Sequence, residues 1–330
     1  MFVYKNLEEI IFNRHKNVPA DQLIILSGYI GPEPVLRLKN LPFPVTLVYG
    51  MYASEGIKEQ LHKTLLKIQD EQDNTNIFYS QIPVHSKCYI WLKNNDINAA
   101  LVGSANFSVS GLKNDYKESL AEITTDSYVS LHDYYSYILD NACRCDNLNP
   151  KFKHNGSMKA KSIDSMEIAP DPMTTNIDLL SNGEVPEKSG LNWGIADGNV
   201  TLGDAYIPLH KATIISHPGL IPPKQGFSLQ KIEGAKKSRQ NDAVEFIWDD
   251  GTVMQGLLEG NNEINGLIYP KQMCSSPQKN ILGKYLRNRL GVDLDYRITK
   301  EDLLRYGRTD IKVTLLGEGI YGLDFSVNNK

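Results

Sequence analysis

Four residues in two short segments, HSK and GSAN, have side chains that can act on a phosphate ester: His85, Lys87, Ser104 and Asn106. The segments belong to two predicted strands that a turn rich in Asn and Asp would join as neighbours. Because residues two apart on a strand point to the same face, His85 and Lys87 are expected to project together. The paired strand would end in a turn that begins with Gly103, and this turn would place Ser104 and Asn106 beside His85 and Lys87.

This set of side chains suits attack on a phosphodiester. A neutral imidazole at His85 can act as the nucleophile and form a phosphohistidine. Lys87 and Asn106 can hold the non-bridging oxygens while negative charge builds in the transition state, and Ser104 can add a hydrogen bond. The sequence shows no carboxylate cluster suited to Mg²⁺, which disfavours a two-metal mechanism. We therefore expect no bound metal and no other cofactor.

Composition limits the class of protein. The chain has 330 residues, 41% hydrophobic and 22% charged, which favours two domains of ordinary globular type. A net charge of −4 means that any contact with nucleic acid must come from a local basic patch. No segment has the apolar length of a membrane span, the first residues do not form a secretory signal, and the four cysteines form no CxxC pair. These features predict no membrane partner and a cytoplasmic location.

The first half of the chain predicts an α/β domain over residues 1–150. Buried, strand-like runs alternate with helical periodicity, as in QLIILSGYIG and PVTLVYGM, which precede a helix over 56–70. A further strand, ESLAEITT at 118–125, precedes an amphipathic helix that starts near Ser127. Helices that alternate with strands indicate a mixed central sheet with helices on its faces.

The pattern changes after residue 150. Residues 151–189 are rich in polar residues and proline, which predicts a linker with a short docked element near Thr175 to Leu180. From 190 to 330, short β-like runs recur, KATIIS at 211–216 among them, with a hairpin turn at Asp250-Gly251. Two short helices are expected, at 282–291 and from Thr299 onward. The second half therefore predicts a mostly β, barrel-like domain.

The pair HSK…GSAN resembles the HxK…GSxN signature of the phospholipase D superfamily. That signature usually has an aspartate a few residues after the lysine, whereas CYIWL occupies the region here. The loss is similar to the metal-independent nuclease branch. The whole layout resembles restriction endonucleases of the NgoFVII and BfiI kind, which join an N-terminal phospholipase-D-like domain to a C-terminal B3-like pseudobarrel that reads DNA. GLNWG, AYIPL, LGKYLRNRLG, LLRYGRTD and LDFS look like parts of that second domain.

The resemblance implies a sequence-specific, type II-like restriction endonuclease that cleaves double-stranded DNA without metal through a phosphohistidine. It implies a homodimer through the N-terminal domain, in which one histidine attacks and the other protonates the leaving oxygen. A separate helicase-like ATPase subunit and a cognate methyltransferase are further partners that it suggests, since the chain itself has no GxxxxGK[ST] loop. An acidic residue would support the histidine. Glu118 and Glu122 are the candidates, and Glu118 is favoured because it opens the strand that leads into Asp126.

Candidate DNA contacts fall in three segments. The densest basic, amide-rich segment is a loop in which lysines suit phosphates while arginine and amide side chains suit base edges; its candidates are Lys236, Lys237, Arg239 and Gln240. A solvated hairpin loop would have the same composition. By resemblance, two recognition arms correspond to the segment around Asn199, Thr201 and Asp204 and to residues 270–279, which contain Lys271 and Lys279.

Two other functions remain open from the sequence. A phospholipase or phosphatidyl transferase would use the same motif, but membrane-binding features are missing. A non-catalytic DNA-binding protein could retain the domain for dimerisation alone, although the joint presence of all four motif residues argues against it. HxK or GSxN alone is commonly structural, whereas the two together on adjacent predicted strands indicate catalysis.

Overall fold

The structure is a computed structural model that describes residues 1–153, 173–224 and 241–327. The chain divides into two compact units. The first consists of Met1–His154 with Leu316–Ile320, and the second of Asn155–Leu315 with Tyr321–Lys330. None of the helices in the described ranges is long and apolar enough to cross a membrane.

The first unit contains an eight-stranded sheet with helices between its strands. Its strands are β1 Phe2–Val3, β2 Gln22–Ser27, β3 Val45–Tyr49, β4 Thr75–Ser80, β5 Lys87–Lys93, β6 Asp96–Gly103, β7 Leu120–Glu122 and β8 Ala142–Arg144. Its helices are α1 Leu7–Asn13, α2 Pro32–Arg37, α3 Tyr52–Glu55, α4 Glu59–Glu71, α5 Val109–Leu112 and α6 Tyr128–Asp140.

Strand pairing in this sheet brings the ends of three strands, β2, β5 and β6, together at one side of the sheet. The order is β1-β7-β6-β5-β2-β3-β4-β8, with β2, β3 and β4 parallel and β5 and β6 antiparallel to their neighbours. Leu26 pairs with Cys88, and Lys87 pairs with Gly103. The carboxyl ends of β2 and β6 therefore lie beside the start of β5, where the HSK segment is.

Local sequence explains why these ends meet. Asn94 and Asn95 both adopt the left-handed conformation, which the turn between β5 and β6 requires and asparagine tolerates. Gly50 allows the backbone of Val84, the residue before His85, to lie close to the end of β3. A Cβ at position 50 would lie 2.1 Å from the carbonyl oxygen of Val84. Glycine at this position is therefore part of what holds the HSK segment at the sheet edge.

The second unit is mostly strands that form a nearly closed, barrel-like sheet with few helices. The strand order is β10-β15-β12-β11-β17-β16-β9, and the two edge strands contact each other. The strands are β9 Thr174–Asp178, β10 Ile207–Pro208, β11 Asp242–Trp248, β12 Val253–Glu259, β13 Asn262–Ile264, β14 Leu267–Tyr269, β15 Gln272–Ser275, β16 Asp310–Gly317 and β17 Ile320–Asp324. The helices are α7 Lys211–Ser216, α8 Asn280–Leu290 and α9 Lys300–Tyr306.

The predicted fold class is confirmed for both halves, an α/β first domain and a mostly β second domain with a barrel-like sheet. The hairpin turn at Asp250-Gly251 joins β11 and β12, and Gly291 ends α8 in the left-handed conformation. Thr299 and Asp302 form a capping box at the start of α9.

Two predictions about elements are wrong. KATIIS forms helix α7 and not a strand: tertiary packing, in which Ile214 is the buried residue of the segment, overrides the β propensity of its threonine and isoleucines. The strand expected over 118–125 is only the three residues Leu120–Glu122, so Glu118 precedes it. A 3-10 turn at Thr125–Ser127 follows and leads directly into α6.

Replacing Asn192 with alanine should destabilise the second unit by about 2–3 kcal/mol, the cost of leaving buried polar backbone groups unpaired. The Asn192 side chain is fully buried, donates to the carbonyls of Pro186 and Ile298 and accepts from the amide of Ile298. Denaturant unfolding followed by tryptophan fluorescence measures the change. The exposed Asn288 in α8 supplies the control, since Asn288→Ala should shift the free energy of unfolding by less than about 0.5 kcal/mol. Equal losses in the two variants would contradict this assignment.

Candidate active site

Three of the four motif residues converge on Gly28, which follows β2. An added Cβ at Gly28 would lie 3.2 Å from Cδ2 of His85, 3.3 Å from Nζ of Lys87 and 3.4 Å from Oδ1 of Asn106. These three side chains therefore surround a single backbone position that has no side chain of its own. The glycine thus allows the three side chains to approach the backbone closely, since even a methyl group would crowd them.

Lys87 and His85 are in direct contact. The Lys87 ammonium donates to the backbone carbonyl of His85 at 2.6 Å and lies 2.9 Å from Nδ1 and 3.3 Å from Nε2 of the ring. An ammonium can only donate, so the ring nitrogen that it contacts presents a lone pair. The imidazole is exposed, whereas Lys87 is 5% exposed. Of these two groups, the ring is thus the more accessible.

The charge on Lys87 is poorly compensated by the protein. Burial lowers the pKa of Lys87 below its ordinary value, and the charge of Glu118 works in the opposite direction. The hydrogen bonds of the ammonium go to neutral groups of His85. An anionic phosphate oxygen would therefore be a better partner than any group that the ammonium now contacts.

Asn106 has a defined orientation. Its Oδ1 accepts a hydrogen bond from the amide of Tyr29 at 3.1 Å, and a backbone N–H can only donate. The carboxamide NH₂ is therefore turned away from Tyr29 and is able to donate to a phosphate oxygen. Ser27 secures the same turn, because its hydroxyl accepts from the amide of Phe107 at 2.9 Å. Asn106 itself is 8% exposed.

Ser104 occupies a different position. It is exposed, and its hydroxyl accepts a hydrogen bond from the amide of Ser119 at 3.1 Å. Its own amide donates to the carbonyl of Ser119, so Ser104 extends the pairing of β6 with the chain before β7. The contacts of Ser104 in the structure are with this neighbouring segment and not with the other three motif residues.

The two glutamates predicted as alternatives have separate surroundings. Glu122 forms ion pairs with Arg14 and with the amino group of Met1. Glu118 is half-buried and interacts electrostatically with Lys87. Glu118 is therefore the carboxylate of the two that acts on the motif, although its position before β7 differs from the one expected.

Three further residues at the site, Gly28, Tyr29 and Glu55, were not predicted from the sequence. The Tyr29 ring packs edge-to-face on the His85 imidazole with ring centroids 6.0 Å apart, and its hydroxyl donates to Glu55 at 2.7 Å. The available signal was the SGY sequence at the carboxyl end of buried strand β2, since binding sites in open α/β sheets lie beyond these strand ends. Glu55 had no sequence signal.

The described DNA-binding candidates lie in the second unit. Asn199, Thr201 and Lys271 are exposed. Asp204 is committed to its own turn, because its carboxylate accepts from the amide of Thr201 at 2.8 Å. The two predicted arms are neighbours, since the amide of Ala205 donates to the carbonyl of Lys279. Lys236, Lys237, Arg239 and Gln240 lie outside the described residues.

Lys279 is already paired within the protein. Its ammonium lies 2.5 Å from Oε2 of Glu259 and 4.8 Å above the ring of Trp193. Gln272 and Asn241 donate to the same carboxylate, which is largely buried. These hydrogen bonds and the charge of Lys279 outweigh the effect of burial, so the pKa of Glu259 lies below its ordinary value. Glu259 is thus an ionised centre that holds three polar side chains in place.

Arg287 is buried, although arginine side chains usually lie at the surface. It is 1% exposed and donates to the carbonyls of Leu191 and Tyr296. Arg289 does form an ion pair, with Asp249. Among the residues that the structure describes, no group of three or more His, Cys, Asp or Glu side chains is arranged to hold a metal ion.

The fold and the site define a nuclease of the phospholipase-D-like type joined to a B3-like DNA-binding domain. The model of the NgoFVII restriction endonuclease N-terminal PLD domain matches residues 5–150, and that of the NgoFVII C-terminal B3-like DNA-binding domain matches residues 167–316. The chain belongs to the NgoFVII restriction endonuclease family, which confirms the resemblance found in the sequence. Its two domains are those of a DNA-cleaving nuclease, with DNA as the partner of the second.

Comparison with solved structures gives a similar chain, NucT from Helicobacter pylori. It is 16% identical, with a TM-score of 0.32, and the match covers 44% of this chain and 99% of that one. No curated protein matches the chain significantly.

Replacing Gly28 with alanine should lower the rate constant of DNA cleavage by about 10- to 100-fold, because a methyl group would displace the side chains of His85, Lys87 and Asn106 by a few tenths of an ångström. Single-turnover cleavage measures the rate. The affinity for DNA and the unfolding midpoint should be unchanged, since Gly28 has no left-handed backbone conformation to lose. Wild-type cleavage by this variant would show that the space around Gly28 is not where the reaction occurs.

Cleavage should also decline at alkaline pH as Lys87 loses its proton. Burial lowers the pKa of Lys87, so the ammonium is present below that lowered value and is lost as pH rises through it. A pH–rate profile under single-turnover conditions should therefore show a descending alkaline limb below the range of an exposed lysine. In Lys87→Arg the limb should move to higher pH, because a guanidinium keeps its proton. A limb that stays in place in the arginine variant would exclude Lys87 as its source.

Proposed function

We propose that the protein is a sequence-specific endonuclease that hydrolyses double-stranded DNA through a covalent intermediate on His85, without a metal ion. The observation that carries the proposal is the convergence of His85, Lys87 and Asn106 around Gly28. The exposed imidazole can reach a phosphorus atom, while the ammonium and the oriented carboxamide can hold its oxygens.

The reaction has two steps. In the first, a ring nitrogen of His85 forms a bond to phosphorus, the bond from phosphorus to the leaving sugar oxygen breaks, and that oxygen takes a proton from a general acid. In the second, water attacks phosphorus and gives a proton to the group that acted as the general acid, the nitrogen–phosphorus bond breaks, and both the imidazole and the general acid are restored. Lys87 and Asn106 donate to the non-bridging oxygens in both steps, and the Lys87 ammonium supplies the positive charge that a metal ion would otherwise provide.

A second copy of the chain would supply the general acid. The chain has one HxK segment, so the proton donor in the first step would be the histidine at position 85 of the partner subunit. Glu118, which acts electrostatically on Lys87, would support the charged groups of the site. This arrangement makes the N-terminal domain the site of homodimerisation. A separate helicase-like ATPase and a cognate methyltransferase are further partners in this proposal.

The second domain would give the enzyme its sequence specificity. Its exposed polar residues Asn199, Thr201 and Lys271 lie on neighbouring segments of the barrel-like sheet. Such side chains can bond base edges and phosphates in the major groove of DNA. Lys279 would contribute in concert with Glu259, to which it is bound.

His85→Ala should abolish cleavage, with a loss of at least about 1000-fold, while DNA binding persists. The wild-type enzyme should cut plasmid DNA at defined sites in the presence of EDTA. Rapid denaturation at alkaline pH, where a phosphohistidine survives, should leave a phosphorylated fragment on the His85 peptide that mass spectrometry detects.

His132 provides the matched control, because it is an exposed histidine on α6 and His132→Ala should cleave at the wild-type rate. Full inhibition of the wild-type enzyme by EDTA, or normal cleavage by His85→Ala, would overturn the proposal.

A further inference from the structure

Tyr29 links the imidazole of His85 to a carboxylate that the phosphoryl-transfer scheme does not use. The two rings meet edge-to-face, with centroids 6.0 Å apart and an interplanar angle of 83°. On its other side, the Tyr29 hydroxyl donates to Oε1 of Glu55 at 2.7 Å. Aromatic pairs at this distance and angle are attractive, so the contact restrains an exposed ring that could otherwise rotate.

The same tyrosine also orients Asn106. Its backbone amide holds Oδ1 of Asn106, and its backbone carbonyl accepts from Ser27 at 2.5 Å. Tyr29 is therefore in contact with the nucleophile through its ring and with the phosphate-binding carboxamide through its backbone. A shift of this residue would move both groups together.

Glu55 is held in its charged form. Burial opposes the charge, but hydrogen bonds from Lys153 and Tyr29 outweigh it, so the pKa of Glu55 lies below its ordinary value. The Lys153 ammonium lies 2.7 Å from Oε2. Burial and the bond to Glu55 raise the pKa of Tyr29, so its hydroxyl stays protonated and remains a donor. His85 interacts electrostatically with this carboxylate.

The backbone around Glu55 places Lys153 accurately. Gly56 has a left-handed conformation, and a Cβ there would lie 2.4 Å from the carbonyl oxygen of Lys151. The amide of Ile57 donates to that carbonyl at 3.0 Å, and the amide of Lys153 donates to the carbonyl of Ile57 at 2.8 Å. These bonds attach residues 151–153 beside the end of α3 and bring the Lys153 side chain to Glu55.

We propose that Tyr29 and Glu55 are a positioning pair for His85: the tyrosine ring fixes the plane of the imidazole, and the carboxylate behind it stabilises the positive charge that the ring gains when it attacks phosphorus. Lys153 sets the strength of this effect by neutralising part of the Glu55 charge. The inference rests on the proposed role of His85 as the nucleophile. The site would then have two carboxylates with separate roles. Glu118 acts on Lys87, and Glu55 acts on His85 from the Tyr29 side of the ring.

The decisive experiment compares Glu55→Gln with Lys153→Met, because both break the same ion pair but change the charge near His85 in opposite directions. Ethoxycarbonylation by diethyl pyrocarbonate reports the reactivity of each imidazole, and peptide mass spectrometry gives the rate at His85 relative to exposed His132. At pH ~8, above the ordinary imidazole pKa, the relative rate should fall about twofold or more in Glu55→Gln and rise in Lys153→Met. A purely structural ion pair would give changes of the same sign.

Cleavage supplies the second readout. Glu55→Gln should lower the single-turnover rate constant about tenfold, and Tyr29→Phe, which keeps the ring but loses the hydroxyl, should lower it less than Tyr29→Leu. The dissociation constant for DNA should be unchanged in all three, since none of these side chains donates to the phosphate. Glu59→Gln and Lys63→Met, which break an exposed ion pair on α4, should match the wild type in both assays.

The outcomes separate the two proposals. If the wild type cuts no DNA but the reactivity of His85 shifts with opposite signs, the proposed function fails and the positioning pair stands. If the wild type cuts normally and the reactivity of His85 is unchanged or shifts with the same sign in both variants, the positioning pair is overturned and the proposed function stands.

Discussion

The contact between the Lys87 ammonium and the His85 imidazole is the interaction on which the site depends. Burial of a positive charge costs free energy unless a partner compensates for it, and here the partners are a ring nitrogen and a carbonyl oxygen. That combination requires a lone pair on the ring and leaves the charge available to an anion. If a phosphate oxygen takes over the hydrogen bond of the ammonium, the ring lone pair is released, so this one contact links anion binding to the availability of a nucleophile.

The fold maintains this contact through backbone atoms more than through side chains. The pairing of β2 with β5 and of β5 with β6 determines where the HSK segment begins, and Gly28 and Gly50 provide room for it. The carboxamide of Asn106 is turned by a backbone amide, and Ser27 holds the following turn. Rigid strands thus carry the reacting groups, which limits the conformational entropy lost when a substrate binds.

The sequence revealed the parts of this arrangement that local patterns encode. Buried runs and helical periodicity indicated the α/β order, and the asparagine turn indicated the β5–β6 hairpin. The spacing of HSK and GSAN indicated that His85, Lys87 and Asn106 meet, but it also placed Ser104 among them, whereas Ser104 contacts Ser119. Glu55 could not be found in this way, and Gly28 and Tyr29 were marked only by their place after a buried strand, because the contacts of all three arise when distant segments pack together. Likewise, the burial of Arg287 and the helix at KATIIS depend on tertiary packing, which outweighs the local preference of these residues.

The ion pair between Lys279 and Glu259 bears on how the second domain would respond to ionic strength. A free lysine that meets a phosphate displaces condensed counterions from DNA, and this release makes binding steeply dependent on salt. Lys279 carries its counter-charge within the protein, so its approach to the double helix liberates fewer ions. Recognition through such a residue relies on shape and hydrogen-bond pattern, which persist at salt concentrations that weaken purely electrostatic attraction.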